Sequence, residues 1–163
     1  MNQEYSVGDY IIDSSCIHLI TAIKKQKSGD EEETYVFYEP VVGSDKRYTS
    51  SIPIKNLTKS GTRKVLTAKQ AEELMKSLKV KETTEIEYDS MTAKEDVYRN
   101  EPERTVRVLK YFWKNSSTLN KIDSSLMWEI LENLCKEVSF VTKKKVLAVK
   151  EEMVETLNKH VSI

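Results

Sequence analysis

The spacing of apolar residues changes once along the chain, near position 60, and this change constrains the fold more than any other feature. Before it, β-branched and aromatic residues dominate short segments separated by turn-forming residues, which is typical of strands. After it, apolar residues recur every three or four positions, as on one face of a helix. A run of strands followed by a run of helices predicts an α+β chain or two separate modules.

Four strands are predicted in the N-terminal part of the chain. They cover Tyr10 to Asp13, Ile17 to Lys27, Thr34 to Val42 and Tyr48 to Ile54. Their spacing of about ten residues is typical of a small barrel or a strongly bent sheet. Proline has no N–H with which to extend a ladder, so Pro53 places the last strand at an edge of the sheet or near its own end.

Helices are predicted in the rest of the chain. Thr67 and Gln70 have the spacing of a capping box, and the segment Thr92 to Glu95 repeats that signature. Pro102 lies near the start of a strongly amphipathic helix, and the polar cluster Asp123 to Ser125 is expected to cap the helix that follows. These signals predict an all-helical bundle after the strands.

The two patterns divide the chain into three parts. Residues 1–66 are predicted to form the β-module, and residues 67–91 a helix with a polar connector. Residues 92–163 are predicted to form the helical domain. The expected fold is therefore α+β, with a small β-barrel or strongly bent sheet followed by a helical bundle.

Composition and cysteine number exclude several classes of protein. The chain has 26 Lys and Arg against 26 Asp and Glu, which argues against a charge-driven coat for nucleic acid but allows a local basic face. Apolar runs fall far short of the roughly 20 residues of a spanning helix, and the N-terminal residues lack the pattern of a secretory signal. Cys16 and Cys135 are too few for a disulfide framework or a four-ligand metal site. We expect a cytoplasmic protein without a cofactor or a membrane partner.

No enzyme signature is present in the sequence. The chain lacks a P-loop and the motifs G-x-G-x-x-G, G-x-S-x-G and H-E-x-x-H. Cys16 and His18 would share one face of a strand, but no third group in the sequence orients them as a catalytic pair requires. The sequence therefore predicts a binding protein with no small-molecule substrate.

Basic residues recur at helical spacing after Pro102. They are Arg104, Arg107, Lys110 and Lys114, and Arg99 lies just before them. Spacings of three, three and four place these cations on one face of the predicted helix. The simplest interpretation is a solvated helix face, and the alternative is a face that contacts phosphate groups.

Short motifs occur along the chain in an order typical of one bacterial family. In the N-terminal part they are YSVGDYII (5–12), IHLITAI (17–23), YVFYEP (35–40), SIPIKN (51–56) and TRKVLT (62–67). In the C-terminal part they are VRVLKYFWK (106–114), IDSSLM (122–127) and CKEVSF (135–140). In this order they resemble the CarD/CdnL family of RNA polymerase-binding regulators, whose N-terminal module also occurs in the transcription-repair coupling factor.

The resemblance implies a Tudor/SH3-like β-module that docks on the RNA polymerase β subunit, partly by pairing strand edges. It also implies a helical domain that lies against promoter DNA and stabilises the promoter complex. The positions expected to bind polymerase are Lys24, Lys25, Arg47, Tyr48, Ser51, Ile52 and Pro53. The positions expected to contact DNA are Tyr88 and the basic residues identified from helical spacing, Arg99, Arg104, Arg107, Lys110 and Lys114.

Three segments depart from the family pattern, and the first is Asp13 to His18, which is shorter than the family's turn and lacks both of its glycines. Ser51 stands near a position where many members carry an arginine, and nearby bases such as Lys24 and Arg47 are expected to compensate. A tryptophan followed by basic residues in many members falls here on the acidic segment Glu85 to Asp89, where Tyr88 is the aromatic candidate. Acidic groups oppose phosphate binding, so the alternative function is a protein–protein adaptor that does not contact DNA.

Overall fold

A computed structural model describes residues 4–41, 48–84 and 86–161. It divides into two compact units, Met1–Val65 and Leu66–Ile163. The first unit contains an antiparallel sheet and one short helix, and the second unit is helical. The α+β class predicted from the single change of period is therefore confirmed.

The first unit contains a five-stranded antiparallel sheet. Its elements are β1 (Tyr10–Asp13), β2 (Cys16–Ser28), β3 (Glu31–Pro40), β4 (Ser50–Pro53), α1 (Ile54–Leu57) and β5 (Arg63–Lys64), with the strand order β4-β3-β2-β1-β5. Sequence analysis missed α1 and β5, because elements of four and two residues are too short to show a period. The predicted end of the third strand, Val42, lies outside the described residues.

The predicted barrel is not closed in the described part of the chain. Strands β4 and β5 lie at opposite ends of the strand order and do not pair with each other. The sheet is open, and a register shift between Ile20 and Ala22 marks a bulge, which increases the local twist.

One face of the sheet packs into a small apolar core. Ile11, Ile20, Val36 and Leu57 are fully buried there, and Leu57 brings the short helix α1 into this core. Strand residues paired across the ladder share a face, and the pairing of Ile20 with Tyr38 extends the same buried surface. Removal of this apolar surface from water is the main force that holds the sheet against α1.

The second unit is built from five helices in the described residues. They are α2 (Ala68–Ser77), α3 (Ser90–Tyr98), α4 (Pro102–Lys114), α5 (Lys121–Thr142) and α6 (Val146–His160). Its core includes Leu109 and Phe112 of α4, Leu131 of α5 and Leu157 of α6, all nearly inaccessible to solvent. None of the helices that the structure describes has the length and apolar character needed to cross a bilayer.

Two of the predicted helix starts agree with the structure. The Thr67 hydroxyl accepts a bond from the Gln70 amide N–H while the Gln70 side chain accepts one from the Thr67 N–H, which confirms the capping box of α2. Pro102 is the first residue of α4, where a missing N–H costs nothing because no intrahelical partner exists. Local sequence was sufficient to predict both helix starts, because each depends only on residues within a few positions of the start.

Two other predicted starts are wrong. The N-cap of α3 is Asp89, and Thr92 takes the third helical position of that capping box instead of the cap itself. The N-cap of α5 is Asn120, three residues before the predicted cluster. Asp123 is instead buried, and its Oδ2 accepts bonds from the Ser90 hydroxyl and the Asn120 amide. A long-range partner on α3 therefore decides the role of Asp123, which local patterns do not show.

Candidate functional site

Strand β4 forms a free edge of the N-terminal sheet. Among the strands that the structure describes, it pairs with β3 only, with Ser51 opposite Phe37 and Ile52 opposite Val36. Ser51 is exposed and Ile52 is half-buried against the core. The prediction of an edge strand around Pro53 is confirmed, and an edge of this kind presents backbone N–H and C=O groups to another strand.

An apolar surface lies beside this edge. Residues paired across neighbouring strands share a face of the sheet, and the face opposite the small core is called the outer face here. Next to β4 it carries Ala22, Lys24, Tyr35, Phe37, Ser51 and Pro53. The Lys24 ammonium lies 5.8 Å from the centre of the Phe37 ring, a cation–π contact. The outer face therefore combines half-exposed apolar groups with one cation next to a free edge.

The remaining positions assigned to polymerase binding are dispersed. Lys25 pairs with Thr34 and lies on the opposite face of β2 from Lys24. Tyr48 is 47% exposed, and its hydroxyl lies 3.5 Å from Nε2 of His18. Arg47 lies outside the described residues. The structure thus brings Lys24, Ser51 and Pro53 to one face but not the whole predicted set.

His18 is part of a buried polar group in the sheet. It is 2% exposed, its Nδ1 lies 3.0 Å from the backbone oxygen of Cys16, and its ring meets Tyr38 edge-on at 5.3 Å. The Tyr38 hydroxyl donates to Asp13 Oδ2 at 2.8 Å, and burial together with this carboxylate raises the pKa of Tyr38. The imidazole thus contacts the Cys16 backbone, while the thiol of Cys16 is exposed.

Lys110 lies inside the helical unit, although its spacing predicted a solvent-facing position. Its side chain is 6% exposed, and Nζ donates to the backbone oxygens of Ser77 at 2.9 Å and Val80 at 2.6 Å. Nζ also donates to Glu82 Oε1 at 2.9 Å, which occupies the third N–H of the ammonium. Lys110 therefore joins α4 to the end of α2 and the connector that follows it.

The other predicted cations of this helix differ in their surroundings. Arg104 donates to Asp96 at 3.0 Å and to Glu101 at 2.6 Å, and these bonds raise the pKa of its guanidinium. Arg107 and Lys114 are exposed on α4, and Arg99 is exposed at the end of α3. The surface available to phosphate groups is therefore smaller than the sequence predicted.

The exposed aromatic side chain of this region is Tyr98 rather than Tyr88. Tyr88 is half-buried, its hydroxyl donates to Asp96 at 3.2 Å, and its ring meets Tyr111 edge-on at 5.5 Å. Tyr98 is 78% exposed at the last turn of α3, next to Arg99. Sequence analysis missed Tyr98, although it lies five positions after the buried Ala93 and so falls away from the buried face.

Comparison with models of protein families found no match, and a search of curated proteins found no significantly similar sequence. Among the described residues, no three His, Cys, Asp or Glu side chains are grouped so that they could hold a metal ion. The candidate functional surfaces are the β4 edge, the outer face and the exposed residues of α3 and α4.

Proposed function

We propose that this chain is a CarD-like transcription regulator that docks on the β subunit of bacterial RNA polymerase through β4. The observation that carries the proposal is the free edge of β4 beside the half-exposed outer face. A free edge binds a partner strand through main-chain hydrogen bonds, and alternate side chains supply specificity. The ordered motifs that resemble the CarD/CdnL family supply the identity of the partner. In this proposal the open sheet is a variant of the Tudor/SH3-like module.

The docking proposal predicts the effect of two charges placed on the outer face. The double variant Lys24→Glu/Ser51→Glu is expected to weaken binding to purified RNA polymerase at least about tenfold. Both side chains are exposed, so the free energy of unfolding should change by no more than about 1 kcal/mol, mainly through the lost cation–π contact between Lys24 and Phe37. Surface-immobilised polymerase with the full chain in solution measures the dissociation constant.

A matched control places the same charges on the helical unit. Lys69 and Ser116 are exposed there, so Lys69→Glu/Ser116→Glu makes the same change in net charge within the second unit. It is expected to bind polymerase as the unmodified chain does. Equal affinities for the two double variants would contradict docking through the outer face.

We propose that the helical unit contacts promoter DNA once polymerase is bound. The residues that support this are Arg99 and Arg107, which are exposed, and Tyr98, whose ring is available for stacking. Lys110 and Arg104 are left out of this surface because protein groups already bind their side chains. The DNA surface is therefore centred on the end of α3 and the exposed side of α4.

Loss of cations from this surface predicts a smaller salt dependence of DNA binding. Each phosphate contact removed should reduce the slope of log K against log salt concentration by about one, so Arg99→Ala/Arg107→Ala should reduce it by about two. The control Lys136→Ala/Lys159→Ala removes two exposed cations elsewhere and should leave the slope unchanged. Fluorescence anisotropy of promoter complexes across a salt series measures the slope, and equal slopes for both variants would contradict the assignment.

A protein–protein adaptor without DNA contact is the second candidate function. The observation that favours it is that protein groups hold Arg104 and Lys110, which were both predicted to face phosphate groups. The zero formal net charge gives no general attraction to DNA. Polymerase binding without any DNA association at low salt would support the adaptor, and DNA association that depends on Arg107 would contradict it.

A further inference from the structure

The N-terminal sheet has a second free edge, on the distal half of β2. β1 pairs with β2 only at residues 16–19, and the last backbone bonds on this side join Ile20 with Gly8 and Asp9. Beyond that point, residues 22–28 of β2 pair with β3 and with no other described strand. Most of this segment is exposed. The backbone N–H and C=O groups along the unpaired edge of residues 22–28 are therefore available to an added strand.

The side chains along this edge are basic. Lys24, Lys25 and Lys27 are all exposed, and neither Lys25 nor Lys27 forms an ion pair with another described residue. The acidic run Glu31–Glu33 lies on the neighbouring strand, where Glu32 is opposite Lys27. Strands β2 and β3 form a hairpin, and in its distal half the basic strand β2 is paired with the acidic strand β3.

Distance determines which of these charges an added strand meets. Neighbouring strands lie about 4.8 Å apart, so a strand added to β2 would lie about 5 Å from the lysines and about 10 Å from the glutamates. The lysines dominate at that distance and repel basic strands, while they attract acidic ones. A long polyanion such as nucleic acid meets both rows, and three lysines against three glutamates give it little net attraction.

We propose that residues 22–28 of β2 bind an extended acidic segment of a partner protein as an additional strand. Lys25 and Lys27 share one face of the sheet because side chains alternate along a strand. The partner segment therefore carries acidic residues two positions apart, opposite these lysines. This edge is separated from β4 by β3, so the inference does not depend on polymerase docking.

The test uses the full chain and a fluorescent peptide in which glutamate alternates with threonine. We expect saturable binding at low salt and shifts of the backbone amide resonances of residues 22–28. The variant Lys25→Glu/Lys27→Glu should weaken the affinity at least about tenfold. The control Lys143→Glu/Lys145→Glu makes the same charge change at exposed lysines of the second unit and should retain the affinity.

Three results would overturn the inference. They are absence of binding at low salt, an equal loss of affinity in the control variant, and amide shifts confined to β4 or to the helical unit. An oligothymidylate of equal charge that competes through the same two lysines would identify a polyanion site and would also overturn it. Circular dichroism verifies that each variant is folded, and Lys25→Gln/Lys27→Gln, which adds no negative charge, should give an intermediate loss of affinity.

Discussion

Replacement of Lys110 by alanine is expected to lower the free energy of unfolding by about 3 kcal/mol. The truncation leaves the backbone oxygens of Ser77 and Val80 and the carboxylate of Glu82 without their common donor. It also removes the aliphatic stem of a side chain that is 6% exposed. Both described tryptophans belong to the helical unit, so denaturant unfolding followed by tryptophan fluorescence measures the loss there.

Two further substitutions separate the contributions of Lys110. Lys114→Ala removes an exposed lysine from the same helix and should change the free energy of unfolding by about 0.5 kcal/mol or less. Lys110→Met keeps an apolar stem but no donor, so its loss should lie between those of the two alanine variants. Equal stability of Lys110→Ala and Lys114→Ala would contradict the role assigned to the buried ammonium.

Replacement of Trp113 by alanine is expected to lower the free energy of unfolding by about 3–5 kcal/mol. Trp113 is 8% exposed, its Nε1 donates to Asn158 Oδ1 at 3.1 Å, and its ring meets Trp128 edge-on at 5.6 Å. One side chain therefore connects α4 with both α5 and α6. Thermal and denaturant unfolding, followed by circular dichroism, measure the effect.

The contribution of Trp113 is resolved by a conservative variant and a neighbouring one. Trp113→Phe keeps an aromatic ring but loses the bond to Asn158, at a cost of about 1 kcal/mol for that bond plus a smaller packing loss. Trp128→Ala removes a ring that is 45% exposed and should cost less than Trp113→Ala. The reverse order would contradict a central packing role for Trp113, and loss of function in Trp113→Ala would report unfolding rather than a lost contact.

Features with local causes could be predicted from the sequence. The change of period determines the α+β class, the β-branched segment at Tyr10–Asp13 coincides with β1, and the pair Thr67 and Gln70 marks the start of α2. Pro53, whose missing N–H is a local property, indicated a strand at an edge of the sheet or a position near the end of its strand, and the structure shows both. The strand β1, the start of α2 and the effect of Pro53 each depend on residues that are close together in the sequence.

Features with distant causes could not be predicted. Helical spacing placed Lys110 with the exposed cations, but the backbone oxygens of Ser77, at the end of α2, and of Val80, just after it, bind its ammonium from another part of the chain. The register shift after Ile20 decides which lysine of β2 shares the outer face with Ser51, and no residue pattern marks that shift. The sequence therefore indicated which strand carries the candidate site, but it did not indicate which side chains share the outer face.

The most direct test of polymerase docking is co-elution of the full chain with purified bacterial core RNA polymerase in size-exclusion chromatography at low salt. The proposal predicts a stoichiometric complex with the unmodified chain and with Lys69→Glu/Ser116→Glu. It predicts separate elution of Lys24→Glu/Ser51→Glu, because two negative charges would then lie beside the β4 edge. Separate elution of the unmodified chain from polymerase would contradict the proposed function.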